Sequence, residues 1–183
     1  MKIYKNNALV SDLKDSYIFF DTSALIALLN FDTIYKEILI ELKNLDCVFL
    51  SIPAVSIEFS RTDTIEGYNK RINFIKSLSL GLYPIEKNLG NNIFPLNIVL
   101  QRINQKIDYT DFLLYFCLFK FRKAFLFTEN HSHFSTNLLD RTQILTIDQG
   151  NEQIRNIAFY RFSEEKYQKI LEKLKTTEQS ELN

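Results

Sequence analysis

Short apolar runs alternate along most of the chain with segments whose apolar residues recur every three or four positions. The runs YIFF, CVFLS, AFLFT and QILTI have the aromatic and β-branched content of buried strands. Segments between them, such as FDTIYKEILIELKNLD, place their apolar residues on one face of a helix. This alternation predicts an α/β fold, a three-layer α/β/α sandwich with a central, mostly parallel sheet.

Capping signals set the starts of the first three predicted helices, because hydroxyl and acidic side chains accept hydrogen bonds from free backbone amides. Further helices are predicted over residues 63–80 and 112–121 and over the segment SEEKYQKILEKLK. The segment KNLGNNIFPL is predicted to be a loop, and NIAFYRF a last strand. The predicted caps are Thr22 or Ser23, Asp32 or Thr33, and Ser51 ahead of Pro53.

Length and charge narrow the classes of function. The 183 residues suit one domain, expected over residues 1–176 with a polar tail at 177–183. Lysine plus arginine equals aspartate plus glutamate at 22 each, so no net field draws the protein to a polyanion. No apolar run approaches the roughly 20 residues that span a bilayer, and no signal core begins the chain. A cytoplasmic protein with no membrane partner is expected.

Glycine and cysteine are too scarce for several familiar sites. The 4 glycines leave no glycine-rich phosphate loop and no dinucleotide fingerprint. The 2 cysteines, Cys47 and Cys117, lie in predicted apolar elements, which is typical of reduced, buried thiols rather than of a zinc knuckle or a disulfide framework. Candidate chemistry therefore rests on acidic and hydroxyl side chains.

Polar side chains stand where predicted strands end or helices begin. They are Asp21 after YIFF, Glu58 in the helix after CVFLS, Asp111 at the start of the apolar helix, and Thr128 at the end of AFLFT. In a parallel sheet these positions share one edge, so the side chains converge. Converging carboxylates repel one another unless a cation neutralises them, and oxygen ligands of this kind select Mg²⁺ or Mn²⁺. The pattern predicts a divalent metal site.

Four blocks of sequence carry a family resemblance. In order and spacing, FFDTSALIALL, IPAVSIEFSR, DYTDFLLYFCLFKF and FLFTENHSHF resemble the motifs of the PIN-domain nucleases, over roughly residues 17–134. The resemblance implies a PIN-like fold. It also implies that Asp21, Glu58 and Asp111 are metal ligands, with Asp108 as the less favoured candidate for the third position.

The resemblance assigns supporting roles as well. Ser23 and Thr128 would hold carboxylates of the site by hydrogen bonds, as residues behind the ligands. Where the family usually has a fourth acid, this chain has Asn130, which the resemblance places in the catalytic site. Asparagine removes a charge, so a second ion would be held more weakly, and the choice between one ion and two stays open.

The activity that the resemblance implies is metal-dependent hydrolysis of phosphodiester bonds in RNA by an endoribonuclease, with Mg²⁺ or Mn²⁺ as cofactor. A toxin of a toxin–antitoxin pair is one setting, and a housekeeping or defence nuclease is another. The partners would then be an RNA substrate, an antitoxin or another protein, and a second copy of the chain in a homodimer. Candidate contacts to the RNA backbone are Lys70, Arg71 and Lys76 on one helix and Lys120, Arg122 and Lys123 at the end of another.

Structural interpretations of the same residues stay open. The aspartates could be helix-start acids that favour the macrodipole, and Glu58 could be a solvated helix residue. His131 and His133 are interpreted as solvated or capping groups of a polar loop rather than as metal ligands.

Two other functions stay open. A PIN-like module could bind RNA or protein with weak catalysis, and Asn130 is the best support for it. An aspartate-dependent phosphatase would need a second aspartate close behind Asp21, and residues 22–24 do not provide one.

Overall fold

The computed structural model describes residues 2–5, 12–85, 89–90, 93–103, 107–148 and 154–181 of the chain. Seven strands form one sheet in the order β1–β6–β7–β5–β2–β3–β4. The strands are β1 Lys2–Lys5, β2 Tyr17–Phe20, β3 Val48–Ser51, β4 Gly81–Leu82, β5 Ala124–Thr128, β6 Leu139–Asp148 and β7 Ile154–Phe162.

The sheet has a parallel part and an antiparallel part. Strands β5, β2, β3 and β4 lie side by side and run parallel. Strand β7 pairs antiparallel with β5, β6 with β7, and β1 with β6. The predicted mixed α/β class is confirmed, and the parallel order holds where the acidic residues follow the strands. The antiparallel part adds β1, which the sequence pattern did not reveal.

The described helices are α1 Thr22–Asn30, α2 Asp32–Asn44, α3 Pro53–Ser60, α4 Ile65–Ser77, α5 Ile93–Arg102, α6 Tyr109–Lys120 and α7 Glu164–Glu181. Helix α5 begins inside the segment predicted to be a loop, because Pro95 is tolerated in a first helical turn. Other parts of that loop prediction, residues 87–88 and 91–92, lie outside the described residues. Helix α7 continues to Glu181, through most of the segment predicted to be a polar tail.

Helices cover both faces of the sheet. On one face, Phe127 of β5 packs against Phe20 of β2 and against Tyr35 of α2. On the other face, Phe162 of β7 contacts Phe119 of α6, which also packs against Tyr167 of α7. This arrangement is consistent with a three-layer α/β/α fold. Within the described ranges, no helix is both long and apolar enough to cross a membrane.

The predicted helix caps were wrong in three places. Helix α1 is capped by Asp21, whose backbone stays extended and whose Oδ1 accepts a hydrogen bond from the Ala24 amide at 2.8 Å. Helix α2 follows Phe31, which gives no side-chain cap, so the predicted Asp32 and Thr33 lie within the helix. Helix α3 follows Ile52, also without a side-chain cap, because Ser51 is still paired with Leu82 in the sheet.

Candidate functional site

A cavity of about 260 Å³ opens where β2 and β5 end and where α1 and α6 begin. Every acid proposed from the sequence lines it, from three separate segments of the chain. The polar side chains that matter for its chemistry are Asp21, Glu58, Asp108, Asp111, Asn130 and His133. In the described part of the chain, none of the residues that line this cavity is a lysine or an arginine.

Asp21 is the most tightly held of these acids. Its side chain is buried, since only 4% of the residue is exposed, and both carboxylate oxygens accept a hydrogen bond from Ser23 Oγ at 2.9 Å. Thr128 Oγ1 donates to Asp21 Oδ2 at 2.5 Å across 107 residues of sequence. These contacts fix the carboxylate at the strand end, and they place Ser23 and Thr128 beside the first acid.

Glu58 joins the starts of two helices. Its Oε2 accepts a hydrogen bond from Thr22 Oγ1 at 2.6 Å, and its Oε1 accepts one from Thr110 Oγ1 at 2.6 Å. Thr22 is the first residue of α1, and Thr110 lies in the first turn of α6. The carboxylate of α3 is therefore an anchored group that faces the cavity and not a freely solvated helix residue.

The two aspartates at the start of α6 have different roles. Asp108 is the cap, because its Oδ1 accepts a hydrogen bond from the Asp111 amide at 2.8 Å. Asp111 is buried, and its Oδ2 lies 2.6 Å from Nδ1 of His133. Ligand atoms of Asp108, Asp111 and His133 all lie within 4.8 Å of one another.

The segment after β5 brings Asn130 and His133 to the cavity. The Asn130 amide donates to Thr128 Oγ1 at 2.8 Å, and its side-chain oxygen accepts from Ser132 Oγ at 2.8 Å. Glu129, which lies between Thr128 and Asn130 in the sequence, does not line the cavity. It accepts hydrogen bonds from Tyr35 Oη at 2.5 Å and from Arg155 at 2.7 Å. Glu129 therefore anchors this segment from behind, and it does not replace the missing fourth acid.

Burial makes the carboxyl groups of Asp21 and Asp111 harder to ionise. Burial raises the pKa of Asp21 above its ordinary value, while hydrogen bonds from Thr128, Ala24 and Ser23 act in the opposite direction. Burial, followed by the nearby charge of Asp108, raises the pKa of Asp111 from 3.8 to about 6, although contact with His133 lowers it. The cavity therefore stabilises positive charge placed between these groups.

Basic residues proposed for RNA contact lie elsewhere. Lys70 lines a different cavity together with Lys36 and Lys43. The Arg71 guanidinium donates to the carbonyl oxygens of Phe59 and Arg61 and stacks over the Phe59 ring. The positive charge of Arg71 is thus used to hold α4 against the end of α3.

Sequence reasoning missed the contacts that Thr22, Thr110 and His133 make with the acids of the cavity. The two threonines occupy first-turn positions that usually indicate capping, and only the approach of Glu58 reveals their other role. His133 was interpreted as a solvated loop residue, but it lines the cavity and contacts Asp111. One signal for His133 was available: it lies in the polar loop that follows β5, and β5 ends at the predicted site residue Thr128.

The donor set fits a divalent ion, because carboxylate oxygens converge in a partly buried cavity that no described lysine or arginine lines. Comparison with protein-family models gave no match, and comparisons with curated proteins and with solved structures gave none either.

Proposed function

We propose that this protein is a metal-dependent endoribonuclease that hydrolyses phosphodiester bonds of RNA and has a PIN-like fold. Asp21, Glu58 and Asp111 would hold Mg²⁺ or Mn²⁺. The observation that supports this proposal most strongly is the convergence of carboxylates from three chain segments on one cavity that no lysine or arginine lines among the described residues. Such an arrangement costs free energy through repulsion and desolvation unless a cation offsets it.

The chain's own residues would keep the reaction centre in place. A bound divalent ion of this type activates water and offsets charge on phosphoryl oxygens. Ser23 and Thr128 hold the Asp21 carboxylate, and Thr22 and Thr110 hold that of Glu58. Asn130 offers a side-chain amide at the same cavity, suited to orienting a water or a phosphate oxygen.

The proposal includes a substrate, a setting and partners. The substrate is RNA, and the toxin of a toxin–antitoxin pair acting in the cytoplasm is the setting that we propose, with an antitoxin as protein partner. A homodimer would be compatible with exposed apolar side chains such as Phe94 and Ile98 on α5, which are 66% and 52% exposed.

The second candidate is a PIN-like module that binds RNA or protein with weak catalysis. Two observations favour it. Asn130 replaces a charge, and the oxygens of Asp21 and Glu58 already accept hydrogen bonds from neighbouring hydroxyl groups. A module of this kind would retain the fold of the cavity without needing to bind a metal ion.

The experiment that tests the proposal is cleavage of a mixed pool of single-stranded and structured RNA in Mg²⁺, in Mn²⁺ or in EDTA. Wild type is compared with Asp21→Asn and with Asp63→Asn, a matched change at an exposed aspartate that does not line the cavity. We expect metal-dependent cleavage by wild type and by Asp63→Asn, and at least a hundredfold loss in Asp21→Asn, of the order reported for removing one charge-stabilising group.

Two outcomes would count against the nuclease. Equal cleavage by all three proteins would indicate a contaminant. RNA retained equally by all three without cleavage would favour the binding module.

A further inference from the structure

His133 is the one imidazole among the described residues that line the acidic cavity, and its position distinguishes the cavity from an all-oxygen site. It lies three residues after Asn130 in the turns that follow β5. The imidazole is half-buried, Asp111 is buried and Asp108 is exposed. Their ligand atoms lie within 4.8 Å of one another, a span that a single ion can bridge.

Asp21 and Glu58 are already engaged by neighbouring donors. Both oxygens of Asp21 accept hydrogen bonds, from the Ala24 amide, Ser23 and Thr128. Both oxygens of Glu58 accept hydrogen bonds from threonine hydroxyls. An ion that bound only these two acids would compete with short contacts already formed.

We propose that Asp108 and His133 join Asp111 in binding the ion, and that the imidazole makes the site prefer Mn²⁺ and related transition ions to Mg²⁺. The inference rests on the proposed metal dependence and specifies which ion the site takes. Mg²⁺ keeps oxygen ligands and releases water reluctantly, whereas imidazole suits first-row transition ions. The 2.6 Å contact with Asp111 orients the imidazole before an ion binds, which lowers the ordering cost of binding.

His131 supplies a matched control from the same loop. Its Nδ1 lies 3.0 Å from Tyr160 Oη and its Nε2 lies 3.1 Å from the carbonyl oxygen of Asn156. It does not line the acidic cavity. Replacing either histidine by alanine removes one imidazole from the same polar loop, but only the change at His133 removes one from the proposed site.

The first test measures Mn²⁺ binding to metal-free protein by electron paramagnetic resonance, with Mg²⁺ as competitor. We expect wild type to bind Mn²⁺ at least ~10-fold more tightly than Mg²⁺. His133→Ala should lose roughly 10- to 100-fold in Mn²⁺ affinity, and His131→Ala should match wild type. His133→Asp, which restores an oxygen ligand, should recover Mg²⁺ binding and lose the preference for Mn²⁺.

The second test needs no variant, so it remains decisive if His133→Ala fails to fold. Electron spin echo measurements on Mn²⁺-loaded wild type detect a directly coordinated imidazole nitrogen. Modulation from a coordinated nitrogen supports the proposed site. The proposed site is overturned if protein that binds Mn²⁺ shows no such modulation, or if wild type binds Mn²⁺ and Mg²⁺ with equal affinity.

The site and the nuclease can fail separately. Metal-dependent RNA cleavage without a coordinated nitrogen overturns the proposed site and leaves the nuclease intact. A coordinated nitrogen in a protein that cleaves no RNA supports the site while the proposed nuclease fails.

Discussion

Asp21 caps a helix and also faces the cavity, and two substitutions separate these tasks. Asparagine caps helices as well as aspartate does, whereas alanine removes the acceptor of the Ala24 amide. We expect Asp21→Ala to lower the free energy of unfolding by about 1–2 kcal/mol more than Asp21→Asn does. Both variants should lose metal-dependent activity. Urea denaturation monitored by circular dichroism measures the stabilities.

Equal losses of stability in the two variants would contradict the capping role of Asp21. Activity retained in Asp21→Asn would instead contradict its role as a ligand. The two readouts therefore test separate statements about one residue.

Asp111 makes stability depend on pH in metal-free protein. Its pKa in the folded protein is about 6, above the ordinary 3.8, because of burial and the neighbouring Asp108 charge. A raised carboxyl pKa contributes stability below the ordinary value, and this contribution is lost as the pH rises through about 6. Asp111→Asn removes that loss. We expect the free energy of unfolding of the variant, relative to that of wild type, to rise by on the order of 1–3 kcal/mol when the pH is raised from about 4 to about 7.5.

Chemical denaturation in EDTA at both pH values measures this difference, with Asp63→Asn as the control that should follow wild type. A gain of stability that is the same at both pH values, or a loss at the higher one, would contradict the pKa assigned to Asp111.

At the scale of residues, the sequence predicted that the acids lie close together, but it did not predict most of their hydrogen-bond partners. Asp21, Glu58 and Asp111 could be found because their places relative to strands and helices are readable from local pattern. The contact of His133 with Asp111 could not be predicted, since it depends on the turns after β5, which follow no period. Thr22 and Thr110 are separated from Glu58 by 36 and 52 residues of sequence, and no local pattern encodes contacts between residues so far apart in the chain.

Strand β5 is the element on which the site depends most. All five of its residues are buried, and it lies between β2 and β7. The Phe127 ring packs against Phe20, Tyr35 and Phe159. We expect Phe127→Ala to lower the free energy of unfolding by about 3–5 kcal/mol, because a large buried side chain leaves a cavity.

Urea denaturation measures this cost, and Phe94→Ala is the control. Phe94 is 66% exposed, so its loss should change stability by no more than about 0.5 kcal/mol. Similar costs at the two positions would mean that β5 is not central to the core.

At the scale of elements, strands with local signals were predicted and their pairing was not. The apolar runs of β2, β3 and β5 mark buried strands, as parallel strands covered on both faces require. The residues predicted as strands within β6 and β7 gave no sign that these strands run antiparallel or that β6 extends over 10 residues. Helix α5 was missed because Asn91, Asn92 and Pro95 give turn signals at its start.

Bound metal should stabilise the whole molecule, because an ion that binds only the folded state shifts the unfolding equilibrium. We expect Mn²⁺ at about 100 times its dissociation constant to add roughly 2.7 kcal/mol. For a chain of this length, that corresponds to a rise in Tm of about 5–10 °C. EDTA should reverse the rise, and Asp111→Asn should show little of it.

Differential scanning fluorimetry with Mn²⁺, Mg²⁺ and EDTA measures these shifts, and Asp63→Asn should respond as wild type does. An undiminished rise of Tm in Asp111→Asn would mean that the ion binds elsewhere on the protein.

The central place of β5 in the sheet has a consequence for how the protein is made. Asp21 and Glu58 are synthesised before β5, and Thr128 follows Asp21 by 107 residues. Until β5 pairs with β2, Asp21 lacks its Thr128 contact and the cavity lacks one wall. The cavity is therefore completed only after β5 and the turns that follow it have been synthesised.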